Sequence, residues 1–263
     1  MNIPALQSPR ELHENAVFNT AFLRLQGLKA AKKEEEFNRQ LLELLPETRR
    51  YIIRGLRLAL SKGVLPHNKY RPEDFFDELF LDAYEHFNEH KNAIAFKIWL
   101  FERADTLLRN MEVLEISDTY RFENLETFTQ AERFEMEESY TTNEGGDRIM
   151  MDELDDISYR DHKFMLKQIF LDDSHVDFMA QLDEKDLIKH LSDQLENVLF
   201  ELPANQRSVF ELAVEEGFEI EAIARIKNIQ PNQVESLLIQ AKNKLYEILS
   251  KRIFTTKNPC YEN

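Results

Sequence analysis

The stretch Leu202–Leu249, LPANQRSVFELAVEEGFEIEAIARIKNIQPNQVESLLIQAKNKLYEIL, decides the fold. It reads as three helices in succession, joined by short turns. In the middle helix Ala222, Ile223, Ala224 and Ile226 supply small and apolar packing positions. Asn228 follows at the bend. The last helix has Pro231 near its start, then Val234, Leu237, Leu238, Ala241, Leu245 and Ile248 at three- and four-residue spacing. Ala224, Asn228 and Val234 fall where a helix-turn-helix needs a small residue, a left-handed bend and a buried branched residue. Glycine is the usual residue at such a bend, and asparagine tolerates positive φ better than most others.

Upstream of this motif, Asp183 opens a helix with Leu187, Ile188, Leu191, Leu195, Val198 and Leu199 on one face, ended by Pro203. A C-terminal helical domain over residues 183–253 results, with a polar tail at 254–263. Residues 36–111 carry three more amphipathic patterns. The first holds Phe37, Leu41, Leu44 and Leu45, then Tyr51, Ile52, Leu56 and Leu60; Pro46 kinks or splits it. The second sets Phe76, Leu79, Phe80, Ala83 and Phe87 opposite the acids Asp74, Asp77, Glu78, Asp82 and Glu85. The third stacks Phe96, Trp99, Leu100, Ala104, Leu107, Leu108 and Met111, with Lys97, Arg103 and Arg109 outside that stripe. Residues 1–35 form a helical lead-in through Phe18, Phe22, Leu25 and Leu28.

Charge is distributed unevenly. The formal net charge is −16, an unusual balance for a nucleic-acid binder. Residues 112–161 hold 16 Asp and Glu against Arg121, Arg133, Arg148 and Arg160, a formal charge of −12. Residues 112–182 therefore read as an acidic linker, most flexible at Gly145-Gly146. Its interleaved Phe122, Leu125, Phe128, Phe134, Met136 and Tyr140 suit docking on a basic surface. The fold class is all-α: two small helical domains joined by a long acidic linker, the second with the helix-turn-helix.

Several classes are excluded or disfavoured. A single cysteine, Cys260, leaves no intramolecular disulfide or cysteine-rich zinc site. No apolar run approaches the roughly 18 residues of a membrane span, and no signal-peptide core opens the chain; the expected location is cytoplasmic, with no membrane partner. His86-Phe87-Asn88-Glu89-His90 matches the inverted zinc-protease pattern H-x-x-E-H. It sits at a helix end, and no third ligand is identifiable, so neither a metal site nor a catalytic residue is assigned. No phosphate loop or nucleophile elbow is present, and no cofactor is implied.

Several motifs together resemble the extracytoplasmic-function sigma factors of bacterial RNA polymerase. LLELLPETRRYIIRGL is similar to the opening helix of that family's second conserved region. PEDFFDELFLDAYEHF resembles its D-L-x-Q-E-x-F-L-x-A-Y helix, and FKIWLFERADTLLRN its F-x-x-W-L-x-x-I-A-x-N-x-L helix. LPANQRSVFELAVEEGFEIEAIA resembles L-P-x-x-x-R-x-V-F-x-L-x-x-x-E-G-x-x-x-x-E-I-A. The order and spacing of the four matches carry the resemblance, which covers about residues 36–111 and 185–250.

The resemblance implies a non-catalytic initiation factor that binds core polymerase and directs it to promoter DNA. Asp77, Glu78, Asp82 and Glu85 would dock on the polymerase clamp helices. Lys91, Asn92, Lys97, Arg103, Arg109 and Asn110 would capture the melted downstream element, with Trp99 in the core. Gln230, Asn232, Gln233, Glu235, Ser236, Gln240, Lys242 and Lys244 would face upstream promoter DNA or an activator. The family's recognition helix commonly reads T-V-K/R-S-R-L before a basic pair. Here Glu235, Leu237 and Gln240 stand where cations are expected. Fewer cations release fewer counterions and weaken binding, so this face reads DNA weakly or docks a protein. Two further readings follow: a sigma-like factor delivered by a separate DNA-binding or nucleic-acid-guided recruiter, and an inhibitory decoy whose acidic linker mimics nucleic acid. An anti-sigma factor is a further partner that the resemblance implies.

Overall fold

The structure, a computed structural model, describes residues 9–66, 69–123, 169, 195 and 198–257. The linker features at 124–168, most of the helix expected from Asp183, and Cys260 lie outside the described residues. Among the described residues every regular element is a helix. These are α1 (Pro9–Ala30), α2 (Glu34–Leu42), α3 (Pro46–Ser61), α4 (Pro72–His86), α5 (Ala93–Glu123), α6 (Ala204–Val214), α7 (Ile220–Lys227) and α8 (Pro231–Lys257).

Local chemistry sets the boundaries. Pro46 splits the first pattern into α2 and α3 and occupies the first turn of α3, where its missing N–H is no loss. Pro72 does the same for α4, with Glu73 and Asp74 in the positive first turn. Asn92 caps α5, its Oδ1 accepting from the Ala95 amide at 2.7 Å. Helix α5 continues past Met111 to Glu123, into the stretch read as acidic linker, and α8 continues past Ile253 to Lys257.

The core of the first half is aromatic. Phe87, in a 3-10 turn after α4, meets Phe22 and Phe37 at 5.1 Å and Phe96 at 5.2 Å. Phe18, Phe22 and Leu25 bury one face of α1 in this core, so the lead-in is an integral layer of the first half. A smaller core joins Leu195, Val198, Leu199, Leu202, Phe210, Ala241, Leu245 and Leu249. The two halves are not separate. Helix α7 lies on α5, and Val209, Leu212, Ile223, Ile226 and Val234 share the first core.

The helix-turn-helix has the expected geometry. Asn228 sits at φ 53°, ψ 47°, the left-handed bend between α7 and α8. Its neighbour Ile229 donates to the Ala224 carbonyl at 3.0 Å, closing α7. Ile223, Ile226, Val234 and Ala241 are buried, and Ala224 nearly so.

Candidate functional site

Three surfaces carry the residues singled out in the sequence. The first is the outer face of α4. Asp77, Glu78 and Glu85 are exposed, and Asp82 is half-buried. Among them stands Leu81, 59% exposed, an apolar side chain on an acidic face that the periodicity did not mark. Glu78 and Asp82 are also partners of Arg103 on α5: its Nη2 donates to Glu78 Oε1 at 2.9 Å and its Nε to Asp82. One residue of the downstream set is therefore tied to two of the polymerase set.

The second surface is the turn from His90 to Ala93 and the start of α5. Lys91 is exposed, and the Asn92 side chain is the helix cap. Trp99 is half-buried, stacked on Phe96 at 6.0 Å and flanked by His90 at 4.9 Å and His86 at 5.8 Å. Burial pushes the His90 imidazole below its ordinary value, and Arg225 and His86 push it the same way. The two histidines are not on one helix: the chain leaves the α conformation after His86, whose Nδ1 bonds the Asp82 carbonyl, and His90 has φ −99°, ψ 121°. Among the described residues no group of three His, Cys, Asp or Glu side chains is gathered as a metal site requires.

Lys97 differs from its expected place. It lies inside the stripe, 7% exposed, with Nζ 2.9 Å from Glu47 Oε2 on α3 and 3.3 Å from Asn15 Oδ1 on α1. Its ammonium also stands 5.6 Å from the Phe218 ring of the second half. Arg109 is half-buried and pairs with Asp105 at 3.0 Å, whereas Asn110 is exposed.

The third surface is the outer face of α8. Asn232, Gln233, Glu235, Ser236, Gln240 and Lys244 are exposed, with Gln230 just before the helix and Lys242 half-buried. Gln233 Oε1 accepts from the Gln230 amide at 3.1 Å, a capping interaction at the start of α8. Gln240 bridges Ser236 at 3.0 Å and Gln206 of α6 at 2.9 Å. Ile239, 52% exposed, stands among these polar groups.

Between the halves lies a charged contact that sequence reasoning did not anticipate. Arg54 of α3 reaches Glu216 at 2.7 Å, Glu215 at 3.1 Å and Glu211 at 3.5 Å, all with side chains at most 10% exposed. Burial opposes the guanidinium charge, but the three carboxylates outweigh it and hold Arg54 above its ordinary value. Burial also pushes Glu216 up, against the pull of Arg54. Asp105 of α5 accepts from Tyr51 at 2.7 Å and pairs with Lys227 of α7 at 2.5 Å. One signal was available: an arginine inside the apolar run YIIRGL must be paired if that face is buried.

Residues 192–245 match the family described as Sigma-70, region 4. No curated protein and no solved structure matches the chain. The match begins before α6 and ends within α8, so it spans the whole helix-turn-helix. Region 4 is a DNA-binding, regulatory domain rather than a catalytic one.

Proposed function

We propose that this chain, whose residues 192–245 match Sigma-70, region 4, is an initiation factor of the extracytoplasmic-function type. It binds core RNA polymerase and directs it to promoter DNA. The single observation that carries this reading is the region 4 match on a helix-turn-helix closed by a left-handed Asn228. The aromatic first half supports it, because its helices present an acidic α4 face and a half-buried Trp99 beside an exposed turn.

In this mechanism Asp77, Glu78, Asp82 and Glu85 meet a basic helical surface of the polymerase, with Leu81 supplying apolar contact among them. Lys91, Asn92, Lys97, Arg103, Arg109 and Asn110 then hold the melted downstream strand. Phosphates are held by the cations, while Trp99 stays packed on Phe96 at the edge of the core. The outer face of α8 meets the upstream element. Bond making belongs to the polymerase; this chain positions DNA. Co-purification with core polymerase of the native host, followed by run-off transcription, tests the reading. Failure to associate at moderate salt refutes it.

A second reading is favoured by one observation, the composition of the exposed α8 face. Glu235 and Ile239 stand there with few cations. Such a face makes few phosphate contacts, and base contacts without phosphate anchors are poorly positioned. In this version a separate DNA-binding partner delivers the factor to its promoters. Selection of promoter sequences by the lone holoenzyme separates the two: a clear upstream consensus rules out the recruited version.

A further inference from the structure

We infer that the cavity bounded by α3, α5, α6 and α8 is a binding site for a small organic phosphate, whose phosphate group is held by Arg207, Lys62 and the first turn of α6. The site does not rest on the initiation reading above, because it is read from the chemistry of the cavity alone.

The cavity has a volume of about 260 Å³, at the small end of the range for ligand sites. Leu58 of α3, Leu108 of α5, Val209 of α6 and Leu237 of α8 give it an apolar lining. Arg207 also lines it, together with Ala204, Asn205 and Ser208 from the start of α6.

Arg207 is the group that calls for an anion. Its side chain is only 2% exposed, with Nε 2.7 Å from Glu211 Oε1, and its guanidinium carbon stands 4.0 Å from the centre of the Phe200 ring. Its Nη1 is buried and has no hydrogen-bond partner among the described residues. Glu211 does not neutralise Arg207 alone, since the same carboxylate meets Arg54 at 3.5 Å. A buried charged donor without an acceptor is costly, and a guanidinium fork matches phosphate oxygens.

Two further features point the same way. Helix α6 starts after Pro203 with no side-chain cap, so its first-turn amides lack intrahelical acceptors. Such a helix start carries partial positive charge and suits a phosphate. Lys62, just after α3, donates to the Leu202 carbonyl at 3.2 Å, immediately before α6. Burial lowers the proton affinity of Lys62, and the charges of Arg207 and Lys244 lower it further, against the pull of Glu112. Glu112 lines the cavity and is itself pushed toward its neutral form by burial. A chain of net charge −16 thus gathers cations from three elements at one uncapped helix start.

The geometry also selects the class of ligand. A nucleic-acid backbone does not reach a side chain as recessed as Arg207, so the occupant is a small molecule. Donors that come from α6, from Arg207 and from Lys62 suit a tetrahedral anion with several oxygens better than a planar carboxylate. The leucine and valine lining suits an organic body attached to it.

Isothermal titration calorimetry of the full chain tests this, with phenyl phosphate as the probe, inorganic phosphate as the bare head and phenol as the bare body. One saturable site for phenyl phosphate per chain is expected, with inorganic phosphate weaker and phenol weaker by at least about tenfold. Arg207→Gln removes the charge and lowers the affinity for phenyl phosphate at least about tenfold. Lys62→Met, at an exposed position, lowers it by a smaller factor. Ala204→Pro removes one first-turn amide at a position that accepts proline, and it lowers the affinity likewise. Pro203, at φ −56° and ψ 143°, already has the extended backbone that a following proline requires. Circular dichroism checks folding; where Arg207→Gln does not fold, Lys62→Met and Ala204→Pro decide. No saturable binding of phenyl phosphate, or an affinity unchanged in the folded variants, overturns the site. Phenol binding as tightly as phenyl phosphate overturns the phosphate assignment, and inorganic phosphate binding as tightly overturns the organic body. The titration needs no polymerase, so its failure leaves the initiation reading standing.

Discussion

Replacing Arg54 with methionine tests what holds the two halves together. Methionine keeps most of the apolar stem and volume on the buried face of α3 but removes the cation. Glu211 keeps Arg207, whose Nε lies 2.7 Å from its Oε1. Glu215 and Glu216 lose the guanidinium that sits 3.1 and 2.7 Å away. Removing one partner of a buried ion pair costs about 3–5 kcal/mol, because the remaining charge stays in a poorly solvating site. That is roughly two to four powers of ten in the equilibrium constant for forming the contact. The cost falls on the contact, where Val209, Leu212, Ile223, Ile226 and Val234 also join the core of the first half.

Hydrogen exchange by mass spectrometry on the full chain reads this directly: amides of α6 and α7 lose protection in Arg54→Met, while those of α2 and α4 change little. The pH dependence has a defined sign. Glu216 already has a pKa raised by burial, so its protonated form is favoured in the folded structure. The contact therefore weakens as pH rises through the window above the ordinary glutamate value of 4.5. Without Arg54 that window moves higher, and lowering the pH from neutrality toward 4.5 reduces the Arg54→Met defect. Adding Glu215→Gln and Glu216→Gln to Arg54→Met removes the two carboxylate charges that faced the guanidinium and recovers most of the protection. Unchanged exchange in Arg54→Met, or no recovery in the triple variant, refutes the ionic account.

Four further perturbations have defined outcomes. Asn228→Ala places an ordinary side chain at φ 53° and costs about 1–2 kcal/mol in urea unfolding, whereas Asn228→Gly is neutral or slightly stabilising. Gly55→Ala gains up to about 1 kcal/mol of helix propensity, but its Cβ would lie 2.5 Å from Leu108 Cδ1. Overpacking costs about 1–3 kcal/mol, so the net effect is destabilising, and Leu108→Ala in the same chain makes Gly55→Ala favourable. His90 is depressed by burial, so the stability tied to its neutral form is complete above pH 6.5 and is lost as pH falls through its folded value. The melting temperature of His90→Gln is accordingly less sensitive to pH below 6.5 than that of wild type. Glu235→Lys on the exposed face of α8 tightens duplex binding and steepens the slope of log K against log salt by about one, read by fluorescence anisotropy.

The helices were legible because their signals are local. Pro46, Pro72 and Pro231 mark helix starts, and three- and four-residue spacing marks the buried faces. The bend at Asn228 was legible for the same reason: few residues other than glycine accept its backbone angles. What the chain does with its charges was not legible, because charge partners are set by packing between distant segments. Lys97 was assigned to the outside of α5 on a wheel of apolar neighbours, yet Glu47, Asn15 and Phe218 draw it into the interior. The joining of the two halves was invisible to periodicity, since α7 and α5 each look complete as amphipathic helices. Only Arg54, an arginine among Tyr51, Ile52, Leu56 and Leu60, hinted that a partner of opposite charge had to arrive.

The pairing of the cations in the first half bears on how it would hold DNA. The first half was expected to hold DNA with Lys97, Arg103 and Arg109, and each has a carboxylate partner in this structure: Glu47, Glu78 with Asp82, and Asp105. DNA phosphates compete for these cations only by displacing those carboxylates, so affinity for free DNA is lowered by the cost of each exchange. A polymerase surface that engages Glu78 and Asp82 removes the competitor of Arg103 at the same time. A polymerase contact at α4 would thus change the partners available to a DNA contact at α5, and Arg103 is the residue at which the two proposed surfaces meet.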